Sequence, residues 1–189
     1  MAAEFRREQA VELLHRYIKN PNMIKHCLAS EAVMAAVAER LGEDRGKWAM
    51  AGLLHDLDVE LTEGDLNVHG TQSARILEAC GLDPEILEAI RLHNDQACGG
   101  GRRESTFHHA LAAGETVTGL ITATALVYPD KKLSSVKAKS VLKRMKEKAF
   151  AASVDRDIIR ECELAGMPLP EFVEIALKAM QGIGDDLGL

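Results

Sequence analysis

Trp48-Ala49-Met50-Ala51-Gly52-Leu53-Leu54-His55-Asp56-Leu57-Asp58 is the stretch on which the reading of this chain turns. Its uncharged first part, Trp48 to Leu54, reads as one buried helix, so His55 and Asp56 stand where that helix reaches the interior. A carboxylate is rarely fully buried unless it is paired or ligates a metal. Neutral imidazole beside carboxylate is also a common ligand pair for a divalent cation. A helix C-terminus with a solvated Asp would give the same dipeptide, so the surrounding chain has to separate the two.

Composition narrows the classes. The 189 residues are 47% hydrophobic, enough to bury a sizeable core as a single domain over 1–189. Aromatic residues make up only 4%, while Ala, Leu, Glu, Lys and Met abound, a mix that favours helices over strands. The formal net charge of −6 argues against a surface for duplex nucleic acid, which needs clustered Lys and Arg. A small phosphorylated ligand needs only a local cationic patch or a metal. Cys27, Cys80, Cys98 and Cys162 show no CxxC spacing and read as reduced thiols of a cytosolic protein. Met1-Ala2-Ala3-Glu4-Phe5-Arg6-Arg7-Glu8 turns charged at once, and no run approaches the length of a membrane span. A soluble, cytoplasmic protein with no membrane partner is expected.

Before the doublet, Phe5, Ala10, Leu14, Tyr17 and Ile18 share a helical stripe ended by Asn20-Pro21-Asn22. A second helix is expected from about Met23 to Leu41, with His26 on the same face as Val33 and Val37. That imidazole points inward, as a core residue or as a ligand. After the doublet, Val59 to Asn67 is acidic and irregular. Asn67 is placed to cap a helix with His69 in its first turn and Ala74, Ile76, Leu77 and Cys80 on its apolar side. Asp83-Pro84 opens another helix, along which Ile86, Leu87, Ile90 and His93 follow at helical spacing. Gln96 to Thr106, centred on Gly99-Gly100-Gly101-Arg102-Arg103, reads as a mobile loop, either a basic lid over an anionic ligand or a plain connection.

A long helix is expected from about Phe107 to Val127, placing Glu115 among small residues where a carboxylate needs a partner. Past Tyr128-Pro129-Asp130-Lys131-Lys132, the segment from Val136 to Lys148 is basic, and Asp155 is placed to cap a short helix to Cys162. Phe172, Ile175, Ala176, Ala179, Met180 and Ile183 form a last apolar stripe, which reads as core or as homodimer surface. The chain has no dinucleotide fingerprint, P-loop, zincin helix or serine-nucleophile elbow. One all-helical domain follows.

The inward ligand-type residues are His26, His55-Asp56, His69, His93 and Glu115. Their order and spacing resemble the HD-domain superfamily of metal-dependent phosphohydrolases. The local matches are Leu53-Leu54-His55-Asp56, His69-Gly70 leading to Ala74-Arg75-Ile76-Leu77, and Ile90-Arg91-Leu92-His93-Asn94. Thr118-Gly119-Leu120-Ile121 followed by Pro129-Asp130-Lys131-Lys132-Leu133 is similar to a bacterial branch of that superfamily. The resemblance covers about 22–132 and leaves 133–189 as a C-terminal helical extension. It implies that His26, His55 and Asp56 ligate a first metal, and that His69 and His93 add a second, with Asp56 bridging. Asp58 would support them, and Asp56 and His93 would carry catalytic roles. The family's distal Asp falls on Glu115, a departure that moves the oxygens by about a bond length. His108 lies about 10 Å along the helix axis from Glu115, and both His108 and His109 read as bystanders.

The implied cofactor is one or two divalent ions: Mn, Mg, Co, Fe, Ni or Zn. The implied activity is hydrolysis of a nucleotide or other small phosphate ester by metal-activated water. Arg91, Lys131 and Lys132 are candidates for gripping phosphate, although each singly also reads as a solvated surface charge. Two further outcomes stay open. Some HD-fold proteins with a similar ligand set are di-iron oxygenases, and the departure at Glu115 also fits a metal- or nucleotide-binding regulator that has lost catalysis.

Overall fold

Capping residues set the helix limits that place the site. In the computed structural model, which describes residues 5–94, 96 and 102–189, every regular element among the described residues is helical. The first six helices are α1 (Arg7–Tyr17), α2 (Pro21–Leu41), α3 (Arg45–Leu54), α4 (Thr71–Ala79), α5 (Pro84–His93) and α6 (Thr106–Leu126). A C-terminal group follows, α7 (Ala138–Arg144), α8 (Arg156–Arg160), α9 (Leu169–Gln181) and α10 (Gly184–Leu187), with 3-10 turns at Leu133–Ser135 and Glu161–Glu163. Asn20 caps α2 by accepting from the Asn22 amide at 2.9 Å, Pro21 opens it, and Gly42 ends it with φ of 76°. Asp44, Asp83 and Ser105 cap α3, α5 and α6 in the same way.

α2 is the axis of the fold, packed by α3, α6 and α9. Val33, Met34, Val37 and Ala38 are buried along it, as the shared face of His26, Val33 and Val37 implies. α3 comes so close that a Cβ on Gly52 would lie 2.5 Å from the Ser30 carbonyl oxygen. Ser30 is one turn from His26, and Gly52 is one turn from His55. The contact that only glycine permits therefore brings the two imidazoles together. α6 also approaches α2 closely, through Gly114, where a Cβ would meet Met34 Sδ at 2.7 Å. Trp48 of α3 stacks on Phe107 of α6 with ring centroids 4.9 Å apart, and α5 packs against both helices.

Two helix boundaries differ from expectation, and one open alternative is decided. α4 begins at Thr71 rather than at Asn67, so His69 stands in the turn before the helix. Asp65 takes the Asn67 amide and side chain, and Gly70 turns the chain with φ of 85°. Asp155 does cap α8, but the helix stops at Arg160 and continues as a 3-10 turn through Cys162. Of the two readings of the last apolar stripe, Phe172, Ala176 and Met180 are buried, in a helix packed on α2, so this part is core. The Gly99–Gly101 centre of the expected lid lies outside the described residues. No described helix is long and apolar enough to cross a membrane.

Gly52 and Gly114 should respond differently to a methyl group. Gly52→Ala meets backbone and is expected to cost about 2 kcal/mol despite the better helix propensity of Ala. Gly114→Ala meets the end of a flexible Met side chain and should cost under about 1 kcal/mol. Urea unfolding of the two variants checks this, and equal losses would contradict it.

Candidate metal centre

Four imidazoles converge on one carboxylate. His26 comes from the face of α2, His55 caps the end of α3, His93 is the last residue of α5, and His69 precedes α4. Asp56, one residue past His55, divides its oxygens between them. Oδ2 lies 3.4 Å from His26 Nε2 and 3.4 Å from His55 Nε2. Oδ1 lies 3.0 Å from His69 Nε2 and 3.5 Å from His93 Nε2. Two groups result, His26–His55–Asp56 and Asp56–His69–His93, and in each the ligand atoms lie within 4.8 Å of one another.

Hydrogen bonds on the far side of each ring assign its tautomer. Nδ1 of His55 donates to the Gly52 carbonyl at 2.8 Å, and Nδ1 of His93 to the Ile90 carbonyl at 2.6 Å. Nδ1 of His69 donates to Asp58 Oδ1 at 2.7 Å. Thr118 Oγ1 gives its proton to the Glu115 carbonyl at 2.6 Å, so it accepts from His26 Nδ1 at 3.0 Å. Each Nε2 is thus left with its lone pair turned inward. His26 Nε2 and His55 Nε2 stand 3.1 Å apart, and His69 Nε2 and His93 Nε2 3.2 Å. Lone pairs at that distance repel unless a cation or a proton lies between them. Two imidazole nitrogens sharing one ion at about 2.1 Å, near a right angle, are about 3 Å apart. The residues fit a divalent ion in each group.

Without an ion, protons take this part. Burial opposes charge on His69, yet its bonds to Asp56 and Asp58 raise its pKa to about 10. Burial likewise opposes ionisation of Asp56, but attraction and hydrogen bonding from His55, His69 and His93 hold it well below the ordinary carboxylate range. Burial lowers the pKa of His26. At His55 burial is outweighed by Asp56, and the pKa is raised.

Asp58 stands behind His69, accepting from its Nδ1. It is fully buried, and besides His69 it accepts the Gly70 and Ser73 amides, each at 2.9 Å. Gly70 is required twice, by its positive φ and by the ring behind it, since a Cβ there would lie 3.1 Å from His93 Cε1. Glu115 stands at the edge of the first group, with Oε2 3.8 Å from His26 Nε2 and Oε1 accepting from Thr116 Oγ1. His108 and His109 are in neither group.

A cleft of about 330 Å³ opens between His26, Glu115 and Gly119 on one side and Ser153, Val154, Asp155 and Ile158 on the other. Its outer wall therefore comes from the C-terminal group. A larger groove follows α2, α3 and the turn before α5, and none of the four imidazoles lines it. Arg91 reaches Glu88 at 3.7 Å, and Lys131 and Lys132 are exposed in the turn after α6. That helix ends about 16 Å along its axis from Glu115, and none of these three cations is among the residues lining the cleft. Arg103, at the centre of the expected basic lid, instead forms a buried fork with Glu161.

Thr118, Gly70, Asn94 and Glu161 carry no site role in the reading of the sequence, and Arg103 enters it only as part of a possible basic lid. Gly70 had a local signal, a glycine directly after a candidate ligand. The others act across long sequence separations that no local pattern encodes.

The HD-domain family model matches residues 23–125, more than half of the chain. The chain belongs to the HD-domain family, which is typical of metal-dependent phosphohydrolases. No curated protein and no solved structure matches it.

The proton held on His69 has a measurable consequence. Its raised pKa stabilises the metal-free protein fully below about pH 6.5. That contribution is lost as the pH rises towards about 10. An ion bound at this group must displace the proton, so apparent metal affinity should climb with pH across the neutral range. Calorimetric titration in buffers of different ionisation enthalpy should count about one proton released for this ion. Asp58→Asn should reduce both that number and the pH slope, and a pH-independent affinity would refute the assignment.

Proposed function

We propose that the protein is a metal-dependent phosphohydrolase acting on a nucleotide or another small phosphate ester. The observation that carries this is the pair of inward-facing imidazole groups sharing the two oxygens of Asp56. His26, His55 and Asp56 would hold one divalent ion, and Asp56, His69 and His93 a second. Such ions lower the pKa of a bound water and neutralise charge on a phosphoryl group and its leaving oxygen.

The chain's own part is to arrange the reacting groups. Asp56 stays ionised and fixed between the two imidazole pairs, so its carboxylate keeps one orientation towards both. His93, held by the Ile90 carbonyl and buried, presents Nε2 to the same space and is the second residue we place in the catalytic machinery. Asp58 keeps His69 turned inward through Nδ1, as supporting carboxylates do for ligating imidazoles. Substrate would enter by the cleft beside His26 and Glu115. Arg91, Lys131 and Lys132 remain candidates for phosphate contact only if a bound substrate extends well beyond this cleft.

Reconstitution of metal-depleted protein with Mn²⁺, Mg²⁺, Co²⁺, Fe²⁺, Ni²⁺ or Zn²⁺, followed by phosphate release from a panel of phosphorylated metabolites, tests this reading. Asp56→Ala should lose metal and hydrolysis together, and a folded variant with unchanged metal content would refute the assignment. Four imidazoles about one carboxylate also suit iron. Oxygen consumption with an iron-dependent visible spectrum, and no phosphate release, would instead favour an oxygenase. Metal binding with neither activity would favour a regulator.

Glu115 would complete the first group, directly or through one water. Glu115→Ala is expected to weaken that ion's binding at least tenfold, about 1.4 kcal/mol, while Glu115→Asp retains it. Equal affinities of wild type and Glu115→Ala in calorimetry would leave Glu115 a helix-surface carboxylate.

A further inference from the structure

Arg103 belongs to neither ligand group, yet only 6% of its side chain is exposed. Its Nε and Nη2 form a fork with Glu161, at 2.7 Å to Oε2 and 2.5 Å to Oε1. Its Nη1 donates to the carbonyls of Leu92 at 2.9 Å and His93 at 3.3 Å. Glu161 Oε2 also accepts from His109 Nδ1 at 2.7 Å. Glu161 lies in the C-terminal group, beyond the residues 23–125 that match the family.

The place where this network ends matters. The last carbonyls of a helix have no partner within it, and α5 stops abruptly because Asn94 is extended, with φ of −102° and ψ of 112°. Arg103 supplies donors to the carbonyls at that end, including that of His93 itself. Asn94 makes the complementary tie, since its Nδ2 donates to the carbonyls of Leu66 at 2.7 Å and His69 at 3.1 Å. The backbones of both imidazoles in the Asp56–His69–His93 group are therefore held by side chains from outside it. A guanidinium can fork onto a carboxylate and still reach carbonyls with its third nitrogen, which an ammonium cannot do.

We propose that Arg103, anchored by Glu161, is a positioning residue for the metal centre. It fixes the end of α5 so that His93 Nε2 keeps its place opposite His69 Nε2 and Asp56 Oδ1. By this route the C-terminal group, outside the family match, completes the second ion site. The proposal rests on the metal-centre reading and not on hydrolysis.

The test is Mn²⁺ titration by calorimetry, with elemental analysis after dialysis, on the full chain. The proteins are wild type, Glu161→Gln, Arg103→Lys, Arg103→Ala and the double variant Arg103→Ala/Glu161→Gln, with His69→Gln as the reference for a lost second site. Wild type should bind two ions. Each Arg103 or Glu161 variant should keep one ion within about twofold and bind the other at least about tenfold more weakly, the range for supports of metal ligands. Its stoichiometry should match that of His69→Gln. Arg103→Lys should not rescue binding, and the double variant should be no worse than Arg103→Ala, because the two side chains act as one unit.

Lower melting temperatures with both ions retained at wild-type affinity would mark a merely structural ion pair and overturn the proposal, leaving the metal centre intact. A wild type that binds fewer than two ions would overturn the proposal together with the second ligand group. Should Arg103→Ala fail to fold, Glu161→Gln, which keeps the shape of the side chain, decides between these outcomes. Phosphate release is not a readout, so failure of the hydrolase reading would register separately.

Discussion

A single buried carboxylate with an imidazole lone pair near each of its oxygens dictates the rest of this structure. Four Nε2 atoms crowd around Asp56, with the paired nitrogens only 3.1 and 3.2 Å apart. Such crowding is stable only when a cation or a proton is shared among them. The raised pKa of His69 and the lowered pKa of Asp56 are the proton version of that solution. Two divalent ions would be the metal version, and the spacing of the nitrogens suits it. Because the constraint is severe, each ring is locked from behind, and the elements that carry the rings are locked in turn.

The locks reuse one local device. His55 and His93 each stand at the end of a helix and donate Nδ1 to the carbonyl three residues back, Gly52 and Ile90. Carbonyls in a last turn lack helical partners, so a histidine there can satisfy the backbone and aim its other nitrogen outward along the helix. His26 and His69 lack that option. His26 lies on a helix face and needs Thr118 from α6, while His69 lies in a turn and needs Asp58. Helix ends thus orient two of the imidazoles with local support, and tertiary contacts orient the other two.

The C-terminal group does more than cover apolar surface. Val154 sits against Gly119, where a Cβ would come within 3.2 Å of its Cγ2. Arg156 gathers the carbonyls of Phe150, Ala151 and Val154, so the segment that walls the cleft is held by its own guanidinium. Glu161, in the turn that follows α8, is joined to the end of α5 through Arg103. The cleft beside one ligand group and the helix end beside the other are therefore both shaped by residues past 125.

Much of this was legible in the chain itself. Apolar periodicity with Asn20-Pro21 and Asp83-Pro84 located the helices, because caps and breakers act within a turn of the residue that carries them. His55-Asp56 behind an apolar run, with His26, His69 and His93 at family spacing, named the residues of both ligand groups. Tertiary structure alone decided how they meet. The approach of α3 to α2 at Gly52 and Ser30 sets the separation of His26 from His55. The division of the Asp56 oxygens defines two groups rather than one, and Asp58 moves the start of α4 past His69. Thr118, Asn94 and the Arg103–Glu161 fork join residues many positions apart. Sequence pattern records which face of an element is apolar, but a hydrogen bond across a fold depends on helix separations and end points that are settled only when the core packs.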